Sequence, residues 1–254
     1  MKPDRLSLLH EVADSVAAAL AGVTDFGPSG GRRGQYGLDV VANQAALAVL
    51  RRAGVGALSE ESEFEPGLTG EVVVIDPIDG STNASRGVRY FATALCLVDA
   101  DGPAVALVAN QATGERYWAQ RGGGAWCDGA RLHPSHCCDV SDAIIGLNGM
   151  PPSPLGYSQF RALGAVALDL CHVSAGVLDG YVDCVDEAHG VWDYLAAVLV
   201  CREAGAEVAD LHGRDLVVLD HAARRTPIAA ATPDLLAQLT TARRGYAERP
   251  IEGA

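Results

Sequence analysis

No apolar run in this 254-residue chain approaches the ~20 residues that a helix needs to cross a bilayer. The opening stretch MKPDRLSLLHEVADSV carries Asp4, Glu11 and Asp14 where a secretory leader keeps an uncharged core, so no targeting segment is expected. Basic charge is scarce as well: 19 Lys and Arg stand against 32 Asp and Glu, a net charge of −13. A nucleic-acid polymer is repelled by such a molecule, whereas a small anion can still bind through a bridging cation. The seven cysteines are odd in number and scattered, mostly through apolar runs, which fits reduced thiols and not a disulfide framework. Internal repeats and low-complexity tracts are missing. These absences lead us to expect a soluble, cytoplasmic protein with no membrane partner.

What is present is a large apolar fraction, 49% of residues, enough for one large domain or two lobes sharing a site. Leu6, Leu9, Val12, Val16 and Leu20 recur at helical spacing after Asp4, a plausible cap, and Gly22 ends the pattern. A glycine-rich basic loop follows over residues 27–37, then a helix is expected over residues 40–52, stopped by Gly54. From Glu71 the runs EVVVI, FATALCLVD, AVALVAN and ERYWAQ read as strands, and Asp128-Gly129 as a turn. Residues 133–142 are polar and suggest a lobe boundary, giving an N-terminal α+β lobe over 1–138 and a C-terminal α/β lobe over 139–254. In the second lobe, strands (AIIGLN, GYVDCV, AEVAD, LVVL, PIAAA) alternate with helices over 165–178 and 193–204, and a closing helix is expected over 233–244.

The stretch VVVIDPIDGSTN, residues 72–83, carries the chemistry. Its β-branched run predicts a buried strand, and Pro77 removes a ladder donor, so Asp76 is expected at the strand's end with Asp79 close behind. Gly80 lets the backbone approach a ligand, and Ser81, Thr82 and Asn83 favour a helix start, whose free amides bind anions. Carboxylates beside an anion-binding turn belong together only if a cation lies between them. Oxygen ligands of this type select a hard ion such as Mg²⁺, and phosphate ester hydrolysis follows two-metal logic. An isolated Asp-Gly is more often a plain turn, but the whole string makes that reading unlikely here.

Three separated segments, SEES at residues 59–62, DPIDGSTN, and WDYLAA at residues 192–197, together with the hairpin GERYWAQRGGGAWCDG, resemble the inositol monophosphatase family. This family is part of the Mg²⁺-dependent, lithium-sensitive phosphatases that include fructose-1,6-bisphosphatases. The resemblance covers about residues 5–215. It implies a layered αβαβα sandwich, α/β (α+β) in class, with the site between two lobes, and a homodimer. It implies that Glu60, Asp76 and the carbonyl of Ile78 hold one Mg²⁺, and that Asp76 bridges to a second held with Asp79 and Asp193. Glu60 and Ser81 would activate the attacking water, making Glu60, Ser81 and Asp76 the catalytic set. Gly80, Ser81 and Thr82 would hold the phosphate, and Gly164, Ala165 and either Asp183 or Asp186 the alcohol part.

Other readings compete for several of these residues. Glu60 and Glu61 also suit a solvated acidic patch, and Asp193 a helix cap without metal. Gly122, Gly123 and Gly124 precede no evident helix and read as hairpin, not nucleotide loop. HPSHCC, residues 133–138, has soft ligands but no common zinc spacing. The chain departs from the family upstream. Asn43 stands where an Asp supporting a third, weaker cation is expected, and Arg32 or Arg33 near the expected Lys; Asp39 lies one turn from Asn43. The expectation is a phosphomonoesterase acting on a small polyol phosphate, most simply inositol 1-phosphate. Relatives with the same metal core act on fructose 1,6-bisphosphate, histidinol phosphate or 3′-phosphoadenosine phosphates. A family member that binds a phosphate ligand without turnover is the alternative from another class.

Overall fold

The computed structural model describes residues 4–24, 27–30 and 35–245. Two helices, α1 (Arg5–Leu20) and α2 (Gly37–Ala53), pack on each other and on one face of an eight-stranded sheet. Asp4 caps α1 by accepting from the amide of Ser7, and Leu9, Val12 and Val16 point into the core, so the 3.6-residue pattern translates directly into a buried stripe. Helix α2 begins at Gly37, three residues before the expected start, because Asp39 reaches back to accept from the amide of Tyr36 at 2.8 Å. It ends at Gly54 in the left-handed conformation.

The large sheet comprises β1 (Gly56–Ser59), β2 (Ser62–Glu65), β3 (Val72–Asp79), β4 (Ala92–Asp99), β5 (Gly102–Asn110), β6 (Arg116–Gln120), β7 (Gly124–Cys127) and β8 (Ala130–Arg131), in the order β2-β1-β3-β4-β5-β6-β7-β8. Strand β3 does not stop at Asp76 but runs to Asp79. Asp76 pairs with Ala94 and Asp79 with Ala92, so three steps on β3 oppose two on β4. This bulge absorbs Pro77, whose missing N–H is not needed there, while its carbonyl accepts from Thr93 Oγ1 at 2.8 Å. Strands β1 and β2 were not expected: β1 is a short GALS segment and β2 is heavily charged. They are fixed instead by pairing, β1 running parallel to β3.

A second sheet joins β9 (Ile144–Asn148), β10 (Gln159–Arg161), β11 (Gly180–Asp183), β12 (Glu207–Asp210) and β13 (Pro227–Ala230), ordered β10-β9-β11-β13-β12. Helices α4 (Val166–Ser174) and α5 (Val191–Ala204) lie between the sheets, and α6 (Pro233–Arg244) covers the far face of the small one. The layers therefore run α1α2, large sheet, α4α5, small sheet, α6. Nearly every side chain of α5 from Val191 to Cys201 is buried, as expected for a helix walled by sheets on two sides. The run at residues 216–219 is not a strand. Leu216 is buried in the central core, and Val217 and Val218 pack against it, so its apolarity reflects coverage of the core and not a ladder.

Helix α6 ties back to the site-bearing segment through Arg243, which is almost fully buried. Its Nε donates to the carbonyl of Asp183 at 2.7 Å and its Nη2 to Asp186 at 2.6 Å. Arg243→Ala strands that carbonyl and opens a cavity, and urea unfolding is expected to show a loss of about 2–4 kcal/mol, partly recovered by Arg243→Lys.

Candidate active site

Parallel pairing of β1 with β3 sets Ser59 opposite Ile75, and the amide of Glu60 donates to the Ile75 carbonyl at 3.1 Å. The next residues, Glu60 and Asp76, are thereby side by side. Asp193 arrives from the first turn of α5, where one of its oxygens, Oδ2, accepts from the amide of Gly190 at 2.7 Å. It is thus not the N-cap residue itself but the third residue of the helix, reaching back. Ligand atoms of Glu60, Asp76 and Asp193 lie within 4.8 Å of one another, and they form the sole such cluster of metal-type side chains among the described residues. His133, His136, Cys137 and Cys138 do not converge in this way.

Asp76 Oδ1 accepts from the amide of Ile78 at 2.9 Å. Asp79 Oδ2 accepts from the amide of Ala167 at 2.7 Å, at the start of α4, so this carboxylate links the DPIDG turn to the second half of the chain. Both aspartates are buried, and burial raises the pKa of each well above the usual carboxylate range. Glu60, Asp79 and Asp193 push Asp76 further, and Asp193 does the same to Asp79. Buried carboxyls that repel one another and approach within ligand distance are a donor set that fits a hard divalent cation.

Gly80 has φ of 85°, and a Cβ there would sit 3.1 Å from Ala165 Cβ, Gly164 O and Tyr90 O. Both the left-handed backbone and the close approach require glycine. The turn continues into the single-turn helix α3 (Ser81–Ser85), and Asn83 ties it to the segments before β4 and α4 by donating to the carbonyls of Tyr90 (2.8 Å) and Leu163 (2.7 Å). Gly80 is thereby held against the turn of Gly164 and Ala165. Tyr36 Oη stands 3.3 Å from Thr82 Oγ1.

The two aspartates left open by the sequence have different surroundings. Asp183 is buried; its Oδ1 accepts from Asn148 Nδ2 and the amide of Val185, both at 2.9 Å, and its Oδ2 lies 3.3 Å from His189 Nε2. Asp186 is half exposed and paired with Arg243, on the side of α6. Asn43 accepts from Ser59 Oγ at 2.8 Å in a buried neutral pair. Arg32 and Arg33 lie outside the described residues. The amides of Gly122 and Gly124 donate to Glu203 at 2.8 and 2.9 Å, so the glycine run is a capped hairpin, as expected.

Several polar side chains around this centre carried no motif. His189 sits between Asp183 and Asp193, 3.3 Å from each; burial opposes its charging, but the bond to Asp193 and the nearby carboxylates outweigh it and raise its pKa. Asp169 is buried on α4 and accepts from Tyr90 Oη at 2.7 Å. The readable signal for Asp169 was a lone charge inside the apolar run VALDLC.

A family model described as the inositol monophosphatase family matches residues 37–248. A fructose-1,6-bisphosphatase/inositol-1-monophosphatase of Archaeoglobus fulgidus is 31% identical over 227 residues, covering 84% of this chain and 87% of that protein. An inositol-1-monophosphatase of Mesorhizobium japonicum is 35% identical over 179 residues, covering 64% of this chain and 65% of its own length. Among solved structures, a Pyrococcus horikoshii protein described as having similarities to inositol-1 monophosphatase superposes with a TM-score of 0.81 at 23% identity, covering 93% of this chain and 95% of that one.

Proposed function

The chain belongs to the inositol monophosphatase family of phosphoric monoester hydrolases, and from that premise we propose that it is a Mg²⁺-dependent phosphatase of a small polyol phosphate, most simply inositol 1-phosphate. The observation that carries this reading is the convergence of Glu60, Asp76 and Asp193, from three distant segments, within 4.8 Å. Glu60, Asp76 and the Ile78 carbonyl would hold one ion, and Asp76, Asp79 and Asp193 a second. When bound, such ions supply Lewis-acid polarisation of the phosphoryl group and lower the pKa of a coordinated water.

The protein's own groups do the rest. Gly80, Ser81 and Thr82 present amide and hydroxyl donors to the phosphate oxygens, held in place by the Asn83 staple. Glu60 and the Ser81 hydroxyl orient the attacking water, and the Glu60 carboxylate accepts its proton. Gly164 and Ala165 flank the alcohol part, with Asp183 behind them organising Asn148 and His189. At Asn43, a neutral side chain already bonded to Ser59 offers no charge to a third cation, so two ions are favoured over three.

Release of inorganic phosphate should require Mg²⁺ and be inhibited by lithium. The test is a relative kcat/KM screen over inositol 1-phosphate, fructose 1,6-bisphosphate, histidinol phosphate and 3′-phosphoadenosine phosphates, with and without Mg²⁺. Tight metal-dependent binding with no release from any of them would replace this reading with that of a non-catalytic ligand-binding member.

A further inference from the structure

A cavity of about 100 Å³ opens beside Asp79, between the turn of Gly164 and Ala165 and the side chains of Asn148, Asp169 and His189. Two of its lining residues, Gly164 and Ala165, crowd the Gly80 turn so closely that a Cβ on Gly80 would sit 3.1 Å from either. An ester whose phosphate rests on Gly80, Ser81 and Thr82 therefore places its alcohol part toward this cavity. Asp169 is the member whose presence is hardest to explain by folding alone. It lies between Leu168 and Leu170 in the apolar first turns of α4 and is only 2% exposed. A carboxyl in such a place needs a polar partner. Tyr90 provides one, bonding Oδ1 at 2.7 Å, and is itself 3.3 Å from His172 Nδ1, so the carboxyl is gripped from behind while the residue lines the cavity.

We propose that Asp169, fixed by Tyr90, is a specificity-determining residue that hydrogen-bonds a hydroxyl of the substrate's alcohol part and restricts the cavity to uncharged polyols. This inference rests on the phosphatase reading above. The cavity falls well short of the ~300–1,000 Å³ usual for drug-sized ligands, too little for a nucleoside. Its lining includes Asp79 and Asp169 but no lysine or arginine, and its one histidine, His189, is already engaged 3.3 Å from both Asp183 and Asp193, so a second phosphate would meet acidic groups with no free cationic partner. Burial pushes the Asp169 carboxyl up to about 7, which lets it serve a hydroxyl as acceptor or donor.

The test compares inositol 1-phosphate with p-nitrophenyl phosphate, an aryl ester that has no polyol hydroxyls, in Mg²⁺-loaded protein. Asp169→Asn keeps the shape and the bond from Tyr90. It is expected to lower kcat/KM for inositol 1-phosphate by about 10- to 100-fold, chiefly through KM, and to leave the aryl ester within about twofold. Tyr90→Phe, which frees the carboxyl to rotate, should move the same ratio in the same direction by about 3- to 10-fold, and decides the matter if Asp169→Asn does not fold. Equal losses on both esters, or no loss on either, would overturn the role of Asp169. So would a wild-type preference for fructose 1,6-bisphosphate. A wild-type protein that hydrolyses neither ester overturns the phosphatase reading itself, and this inference with it.

Discussion

Asp76→Asn protein is expected to release phosphate from every substrate about a thousandfold or more slowly than the parent. Asparagine has the same outline and can still accept from the Ile78 amide, so the β3 bulge is preserved. What it loses is the negative charge beside Glu60 and Asp193, and with it, on the reading proposed above, the position that would bridge two cations. Manganese titration should show weaker binding in parallel. The metal-free variant, however, should unfold no more easily than the metal-free parent, because a buried carboxyl that its neighbours repel has been replaced by a neutral amide. Full activity in Asp76→Asn would remove the acidic cluster from the mechanism. Unaltered manganese binding would remove it from the metal site.

The metal-free parent should lose stability as pH rises from about 4 to 8, with Tm falling by roughly 5–10 °C. Burial, then neighbouring carboxylates, hold Asp76 and Asp79 above the usual 3.8 in the folded state. Between that value and the raised one, the unfolded chain has released its protons and the folded chain retains them, so the slope of stability with pH is negative. Asp169, pushed up to about 7 by burial, acts in the same sense. His189 does too, since a raised histidine stabilises below its ordinary value and that contribution is lost as pH climbs. Asp210 acts oppositely. Though burial opposes it, hydrogen bonds from Arg214 and the Thr226 amide hold it down at about 2, so its contribution is complete throughout this range and is lost only in stronger acid. Saturating Mg²⁺ should flatten the slope by favouring the ionised carboxylates. Scanning calorimetry across this range, with EDTA and with Mg²⁺, measures both effects; a metal-free Tm that rises with pH would contradict the assignment.

Much of the site was legible because its parts are local. DPIDGSTN announces its own strand, turn and helix start within one stretch, and the glycine at position 80 is demanded by backbone geometry that only glycine meets cheaply. The closing helix α6 was equally readable, since Thr232 caps it and Pro233 opens it. Asp169, Asn148 and His189 were not. Asn148 and His189 are ordinary polar residues in their own segments, Asp169 showed only as a lone charge in an apolar run, and the three line one cavity only when α4, β9 and the approach to α5 are brought together. The strand expected over residues 216–219 failed for the converse reason: apolar character marks burial, and burial does not require a ladder.

Sequence alone determined the chemistry on offer: an acidic chain with carboxylates at 60, 76, 79 and 193 that could serve as oxygen ligands, and a glycine turn after Asp79 that could meet an anion. Asp76, Asp79 and the turn after them depend on residue type and short spacing, which a linear reading contains, whereas Glu60 and Asp193 were joined to them only by the family resemblance. The tertiary structure alone decided their company. Parallel pairing of β1 with β3 put Glu60 beside Asp76, and the Asp79 bond to the start of α4 joined that pair to the wall bearing Asp169. It also turned Asp186 toward Arg243 while setting Asp183 behind Asn148 and His189. Contacts between residues some 90 positions apart are fixed by packing of layers, and no spacing along the chain encodes them.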